Sequence, residues 1–548
     1  MSSQPLHSVS QRFGPLFATA WYVEQNAEAV DGKKKALAHY LEHGWREGRN
    51  PHPLFDVSWY LLGNPDVARA ELEPLTHYLE HGWREGRSPH PAFSLQWYLQ
   101  RYRDVADAGV EPLTHYVTKG YREHRSPHPL FDTEWYVQHH PGLADEKTEP
   151  LTHYLSQNWK AKYLMPSGFF DRQFLKDTGA LDASVSPLDF LLTPPERPNV
   201  LFDPEVVRES LDPGLASGMS LVERFIRDAL EGKGRLNQFF SCTDWHELFR
   251  QPNLPKMLGR AAHQSYRAAP MYADGSVVLR DVVVGPPPAA HDDLAIFVHY
   301  DAEGEVQPYV IDYLENLRRD SVSILFVSGN ATLTDAAMQR LSGIAWRVIT
   351  TKNEAYDWGL YSIGVKRLGP ELEQRNLIFA NDSCAGSLFP FTPFLTAARS
   401  GSHDIYGATD SRELTWHLQS YFFWISSRVT TSEHWRDFWQ RYAPVADKNY
   451  VITAYELGFT RFMLKAGFSL AAHWKYDEII EMAKRDSHEP WRIALLKGGR
   501  TVNTTHICWD LLVKAGCPFL KRQLIASNPA AIPNLHLVLN LLGARGSP

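Results

Sequence analysis

The sequence predicts an N-terminal α-helical repeat array followed by a mostly parallel, Rossmann-like α/β domain. Two observations carry this: a 38-residue period through the first part of the chain, and alternating apolar strand-like and helical stretches after residue 291. At 548 residues the chain exceeds the size of one small core, so two or three domains are expected. We divide it into a helical repeat domain (1–240), a connecting segment (241–290) and an α/β domain (291–548).

Tyr40, Tyr78, Tyr116 and Tyr154 lie 38 residues apart, as do Trp21, Trp59, Trp97 and Trp135. Asp56 is placed to cap a first helix that carries Trp59, Tyr60 and Leu61. Pro74 opens a second helix, with Leu75, Tyr78 and Leu79 at helical spacing. Gly82 is expected to interrupt that helix, and Ser88-Pro89-His90-Pro91 to end the unit as an extended linker. Each unit reads as a helix pair that cannot bury its apolar face alone, so neighbours must stack into a solenoid. Phe170-Asp171, Phe202-Asp203 and Leu221–Leu230 read as degenerate copies. The recurring His-Tyr pairs (His39-Tyr40, His77-Tyr78, His115-Tyr116, His153-Tyr154) read as packing positions, because the same pair returns in every unit.

Past Gly285-Pro286-Pro287-Pro288, a stiff linker, the pattern changes. Residues 294–298, 322–327, 346–349 and 376–380 read as buried strands, and 310–317 and 334–341 as helices. Strands separated by helices imply a parallel sheet covered on both faces, with ligands at the carboxyl ends of the strands. Polar residues gather there: Tyr300 and Asp301, Ser328 and Asn330, and Asn381-Asp382-Ser383.

Composition narrows the partners. The net charge of −7 supplies no basic field for a phosphate backbone, so nucleic acid is not expected. Four scattered Cys suggest neither a disulfide framework nor a zinc ribbon. The N-terminus lacks an apolar secretory core and no run is long enough to span a bilayer. The expected location is cytoplasmic, with peripheral contact at the inner face of the plasma membrane open. Aromatic residues make up 12% of the chain, which suits a core and also the faces of sugar rings.

Four segments then stand in a telling order: Asn353-Glu354-Ala355-Tyr356-Asp357-Trp358-Gly359, Phe379-Ala380-Asn381-Asp382-Ser383-Cys384-Ala385-Gly386, His417-Leu418-Gln419-Ser420-Tyr421-Phe422, and Val451-Ile452-Thr453-Ala454-Tyr455-Glu456-Leu457-Gly458. With Asn503-Thr504-Thr505-His506 and Pro518-Phe519-Leu520-Lys521-Arg522, they resemble the rhamnan-synthesis F protein family of bacterial polysaccharide glycosyltransferases. The resemblance covers residues 293–530 and implies a GT-A-like fold.

The resemblance implies donor binding by Tyr300, Asp301, Asn353, Asp357, Asn381, Asp382 and Ser383. Asn381-Asp382-Ser383 stands where GT-A enzymes carry a DxD motif whose carboxylates hold Mg²⁺ or Mn²⁺ against the diphosphate. Only Asp382 is acidic here, which departs from the pattern and leaves room for a metal-free site built from side-chain donors. His473 and His506 are candidates to join Asp382 at a metal or to donate to phosphate. Lys521 and Arg522 add charge that could pair with phosphate. Glu456 is placed as the general base that takes a proton from an acceptor hydroxyl, with Asp410 as its rival. Trp416, His417, Gln419 and Tyr421 offer rings and hydrogen-bonding groups to an acceptor sugar.

The expected activity is inverting transfer of a sugar, rhamnose by the family's name, from a dTDP-, UDP- or GDP-sugar. The acceptor would be an oligosaccharide or lipid-linked glycan of a growing surface polysaccharide. A second reading is a catalytically silent glycan-binding or assembly scaffold. A third, a hydrolase using Asp382 and Glu456 as a carboxylate pair, has no motif behind it. The repeats are expected to contact a protein or membrane partner.

Overall fold

The computed structural model describes residues 13–537 apart from 31, 144–148, 158–163, 182–183, 200, 212–218, 238–239, 243, 245–276, 353–355, 373, 386, 443, 445–450, 487, 498–500 and 534–536. The chain forms two compact units, Met1–Leu236 and Asn237–Pro548.

The first unit is helical. Asp56 caps the helix Val57–Gly63 by accepting from the Trp59 N–H, and a short helix, Pro65–Arg69, which the sequence reading did not include, follows it. Pro74 opens the next helix, capped by both carboxylate oxygens of Glu73 on the Leu75 and Thr76 N–H groups. Gly82 does not break this helix. The chain widens instead into a π-helical turn, Tyr78–Gly82. Position 82 needs a glycine on steric grounds: a Cβ there would collide with the Tyr60 hydroxyl, which hydrogen-bonds His77 Nδ1 at 2.9 Å. The same bond joins Tyr22 to His39, Tyr98 to His115 and Tyr136 to His153. The Ser88–Pro91 stretch is likewise not a simple extended linker, because His90 pairs with Phe93 across a tight turn and its Nδ1 accepts from the Ala92 N–H.

Successive stretches are fastened by tyrosine hydroxyls. Tyr40 donates to Glu73 at 2.6 Å, Tyr78 to Glu111 and Tyr116 to Glu149. Further along, the acceptor of Tyr154 is the Pro187 carbonyl. Asp171, Asp203 and Ser220 cap the helices Arg172–Asp177, Pro204–Ser210 and Leu221–Leu230.

The second unit holds a nine-stranded sheet: β1 (Val278–Val283), β2 (Asp293–His299), β3 (Val322–Ser328), β4 (Ala345–Thr351), β5 (Leu377–Asn381), β6 (Ile405–Ser411), β7 (His417–Leu418), β8 (Phe422–Ile425) and β9 (Leu470–Trp474). Their order is β1-β4-β3-β2-β5-β8-β6-β7, with β9 beside β6. β2 to β5 form the expected parallel block.

The sheet as a whole is mixed rather than mostly parallel. β1, from the segment read as a connector, runs antiparallel to β4. β8 is antiparallel to both β5 and β6, and β7 to β6. The physical cause is connection length. The links among β6, β7 and β8 are too short for the crossover that parallel neighbours need.

Helices cover both faces. Val310, Tyr313, Leu314 and Leu317 of helix Pro308–Arg319 join Phe297, Phe326, Phe391 and Phe422 in one core. On the other face Tyr361 stacks on Phe379 at 4.2 Å, and Gly364 brings its helix so close to β2 that a Cβ would strike Ile296. All four cysteines are buried. Among the described residues no helix is long and apolar enough to cross a membrane.

Candidate active site

A cavity of about 540 Å³ opens at the carboxyl end of β5. Asn381, the last residue of that strand, is buried and lines it. Its side-chain amide donates to Asp357 Oδ2 at 2.7 Å, and its oxygen accepts from the Ser383 hydroxyl at 2.6 Å. The Lys521 ammonium donates to the Ser383 Oγ at 3.0 Å and lies 4.1 Å above the Tyr421 ring.

Lys521 reaches this place through the backbone. Residues 518–522 pair with the loop after β5: Leu388 N–H to the Pro518 carbonyl, Ala385 N–H to the Leu520 carbonyl, Arg522 N–H to the Ser383 carbonyl, and a bridge between Cys384 and Lys521.

Glu456 stands in a π-helical turn, Val451–Leu457, and also lines the cavity. Its Oε2 accepts from the Ser420 hydroxyl at 2.6 Å. Its Oε1 faces His417 Nε2 at 3.6 Å. Burial raises its pKa above the ordinary carboxylate value, while the Ser420 hydroxyl and the Lys521 charge pull the other way.

Burial pushes His417 down to about 4, so at neutral pH it is no ion-pair partner. Its Nδ1 lies 2.9 Å from the Thr415 carbonyl, which can only accept. Nδ1 therefore carries the hydrogen, and Nε2 turns a lone pair towards Glu456. Glu413, which the sequence reading passed over, lines the same cavity and bonds Asn503. Burial and then the Glu456 charge raise its pKa. His506 completes the wall. Its Nε2 is buried without a hydrogen-bond partner, and burial followed by the Lys521 charge holds its pKa down at about 4.

The structure thus brings together Asp357, Asn381, Ser383, His417, Gln419, Tyr421, Glu456 and His506, and it places other expected residues elsewhere. Asp410 does not line the cavity. Its two oxygens accept from the Tyr476 N–H and the Trp416 indole, each at 2.6 Å, so both Asp410 and Trp416 are spent on holding the end of β6. Asp301 organises its own loop, accepting from the Glu303 and Glu305 N–H groups and from Gln307. Burial works to raise its pKa, but those donors hold it below the usual value. Tyr300 is half exposed, and only its backbone N–H reaches towards the site, 3.3 Å from Asp382 Oδ2. Asn353 lies outside the described residues.

The donor set does not suit the metal that the resemblance implies. Asp382 Oδ2 lies 3.4 Å from the Arg522 guanidinium. Burial and the Asp357 charge raise its pKa to about 7, against the pull of Arg522. His473 sits on β9 against Tyr406 and Phe394, away from the cavity lining. Among the described residues no group of three His, Cys, Asp or Glu could hold a metal ion.

Sequence comparison places relatives in two bacteria. The chain is 27% identical over 203 residues to the virulence protein VirA of Vibrio anguillarum, covering 34% of this chain and 65% of that protein. It is 25% identical over 197 residues to the uncharacterized protein y4gN of Sinorhizobium fredii, covering 35% of this chain and 51% of that one. The chain therefore spans between half and two thirds of these relatives' length. A solved mannosyltransferase from Pyrobaculum calidifontis, in complex with GDP-Man and Mn²⁺, is 12% identical with a TM-score of 0.22. It covers 48% of this chain and 79% of its own, a likeness too slight to bear on fold or function. Residues 324–543, within which all the cavity-lining residues fall, match the model of the rhamnan synthesis protein F family.

Proposed function

We propose that the second unit is a GT-A-like glycosyltransferase that moves a sugar from a nucleotide-sugar donor to a growing bacterial surface glycan, with inversion. The observation that carries this reading is one cavity at the strand ends holding a buried carboxylate, Glu456, together with two cations, Lys521 and Arg522. The family match over these residues supports it. The acceptor hydroxyl gives its proton to Glu456 Oε1 while its oxygen attacks the anomeric carbon. The bond from that carbon to the diphosphate breaks, and the leaving nucleoside diphosphate departs with its negative charge. Attack opposite the leaving group inverts the centre. After a small approach, the proton on Oε1 meets the lone pair of His417 Nε2, which favours its uptake. Ser420 fixes the other oxygen, so the base is held in one orientation. Gln419, whose oxygen is held by the Thr409 hydroxyl, and Tyr421 would border the acceptor. We further read the first unit as a short solenoid of helical repeats.

The test is turnover of UDP-, dTDP- and GDP-sugars by the purified chain, followed as released nucleoside diphosphate. Glu456→Gln should abolish release of the one donor used. Release that continues unchanged in that variant would remove Glu456 from the mechanism. One observation favours the scaffold reading: the sole carboxylate of Asn381-Asp382-Ser383 is already met by Arg522. That reading requires glycan binding with no donor consumed.

A further inference from the structure

We propose that Lys521, Arg522 and His506 form a diphosphate cradle that does, without a metal ion, what a carboxylate-bound cation does in GT-A enzymes. The inference rests on the transferase reading and assigns the leaving group's partner. A diphosphate needs positive charge and directed N–H donors around its oxygens. The cavity has both. Lys521 and Arg522 both line it, fixed by the backbone pairing of 518–522 with the loop after β5.

Neither cation is loose. Lys521 is seated between the Ser383 hydroxyl and the Tyr421 ring, and Arg522 between Asp382 and the Tyr309 ring at 5.3 Å. Pre-seated charges cost little ordering entropy when an anion arrives. His506 also lines the cavity, and its Nε2 is buried with no hydrogen-bond partner in the protein. A small turn of the neutral imidazole, with its hydrogen on that nitrogen, would bring a donor to a phosphate oxygen. The Arg522 guanidinium meanwhile meets Asp382, the one acidic residue of Asn381-Asp382-Ser383. A second cation at that oxygen would be repelled.

The same chemistry could come from a nucleotide donor or from a lipid diphosphate, so the test carries both. Calorimetry would measure binding of UDP, dTDP, GDP and geranyl diphosphate to the full chain, in EDTA and in Mn²⁺. One nucleoside diphosphate should bind equally in both buffers. Its affinity should fall roughly tenfold or more in Lys521→Ala and in Arg522→Ala, less in His506→Ala, and recover largely in Lys521→Arg. Far-UV circular dichroism and a melting curve on each variant separate lost binding from lost folding.

Binding that needs Mn²⁺, or that survives both alanine variants in folded protein, would overturn the cradle and leave the transferase reading intact. Binding of geranyl diphosphate alone would keep the cradle and move it from donor to acceptor. If no diphosphate bound in either buffer, both readings would fall.

Discussion

Two buried carboxylates, Glu149 in the N-terminal unit and Glu456 in the C-terminal unit, have pKa values raised first of all by burial. Their surroundings differ. Glu149 accepts from the Tyr116 hydroxyl and from the Leu151 and Thr152 N–H groups, so its oxygens are committed to capping one helix and fastening another. Glu456 accepts from Ser420 on one oxygen, and its other oxygen faces the lone pair of a neutral imidazole at a cavity wall. The histidines divide the same way. His77 and His115 bond tyrosines inside the helical unit, whereas His506, a residue of the cavity wall, keeps a buried nitrogen without a partner. Burial alone therefore does not mark a functional carboxylate or imidazole; what its polar atoms are already doing does.

The comparison can be broken most directly at Glu456. Glu456→Gln should lower donor turnover about 10²–10⁴-fold, with the melting temperature unchanged or higher, since a buried charge is removed. Loss of turnover and folding together would mean that Glu456 is a structural group like Glu149.

Asp382 gives the next largest effect. Its folded pKa, about 7, lies above its ordinary value, so the folded state gains from holding the proton. That stability is fully present below about pH 4 and is lost as pH rises through about 7. Asp382→Asn should flatten the decline, worth roughly 2–4 kcal/mol between those limits, in melting curves taken from pH 4 to 8.

In the helical unit, Gly82→Ala should cost about 1–3 kcal/mol in denaturant unfolding through its clash with Tyr60. Adding Tyr60→Phe should recover part of that loss. Glu149→Ala should cost less, about 0.5–2 kcal/mol, as the loss of a helix cap, and should leave turnover untouched.

Much of this was legible in the sequence. The parallel block from Leu294 to Asn381 follows from runs of apolar residues bounded by turns. Asp56 and Pro74 follow from capping chemistry. The antiparallel side of the sheet was not legible, because β7 and β8 are too short to show a period. Tyr78–Gly82 and Val451–Leu457 have the composition of ordinary helix, and nothing in residue order marks a π-helical turn.

Within the site, the motifs found the residues on either side of β5 but could not distinguish those facing the cavity from those facing their own loop. Asp301, Asp410 and Trp416 carry suitable chemistry and spend it locally. Glu413 and Asn503 lie 90 residues apart and meet only in the fold, so no local pattern could pair them.

The backbone zipper between the β5 loop and residues 518–522 also bears on the order in which the molecule comes together. The tyrosine fastenings of the N-terminal unit join residues 17 and 33 apart. The Lys521–Ser383 bond joins residues 138 apart. Closing the longer loop costs more chain entropy and must wait for the distant segment to exist. On a ribosome, the helical unit can fasten itself while the rest is still being made. The cavity gains its cations only after residue 522 has left the exit tunnel, so a chain stalled before that point carries a folded first unit beside a site without its cations.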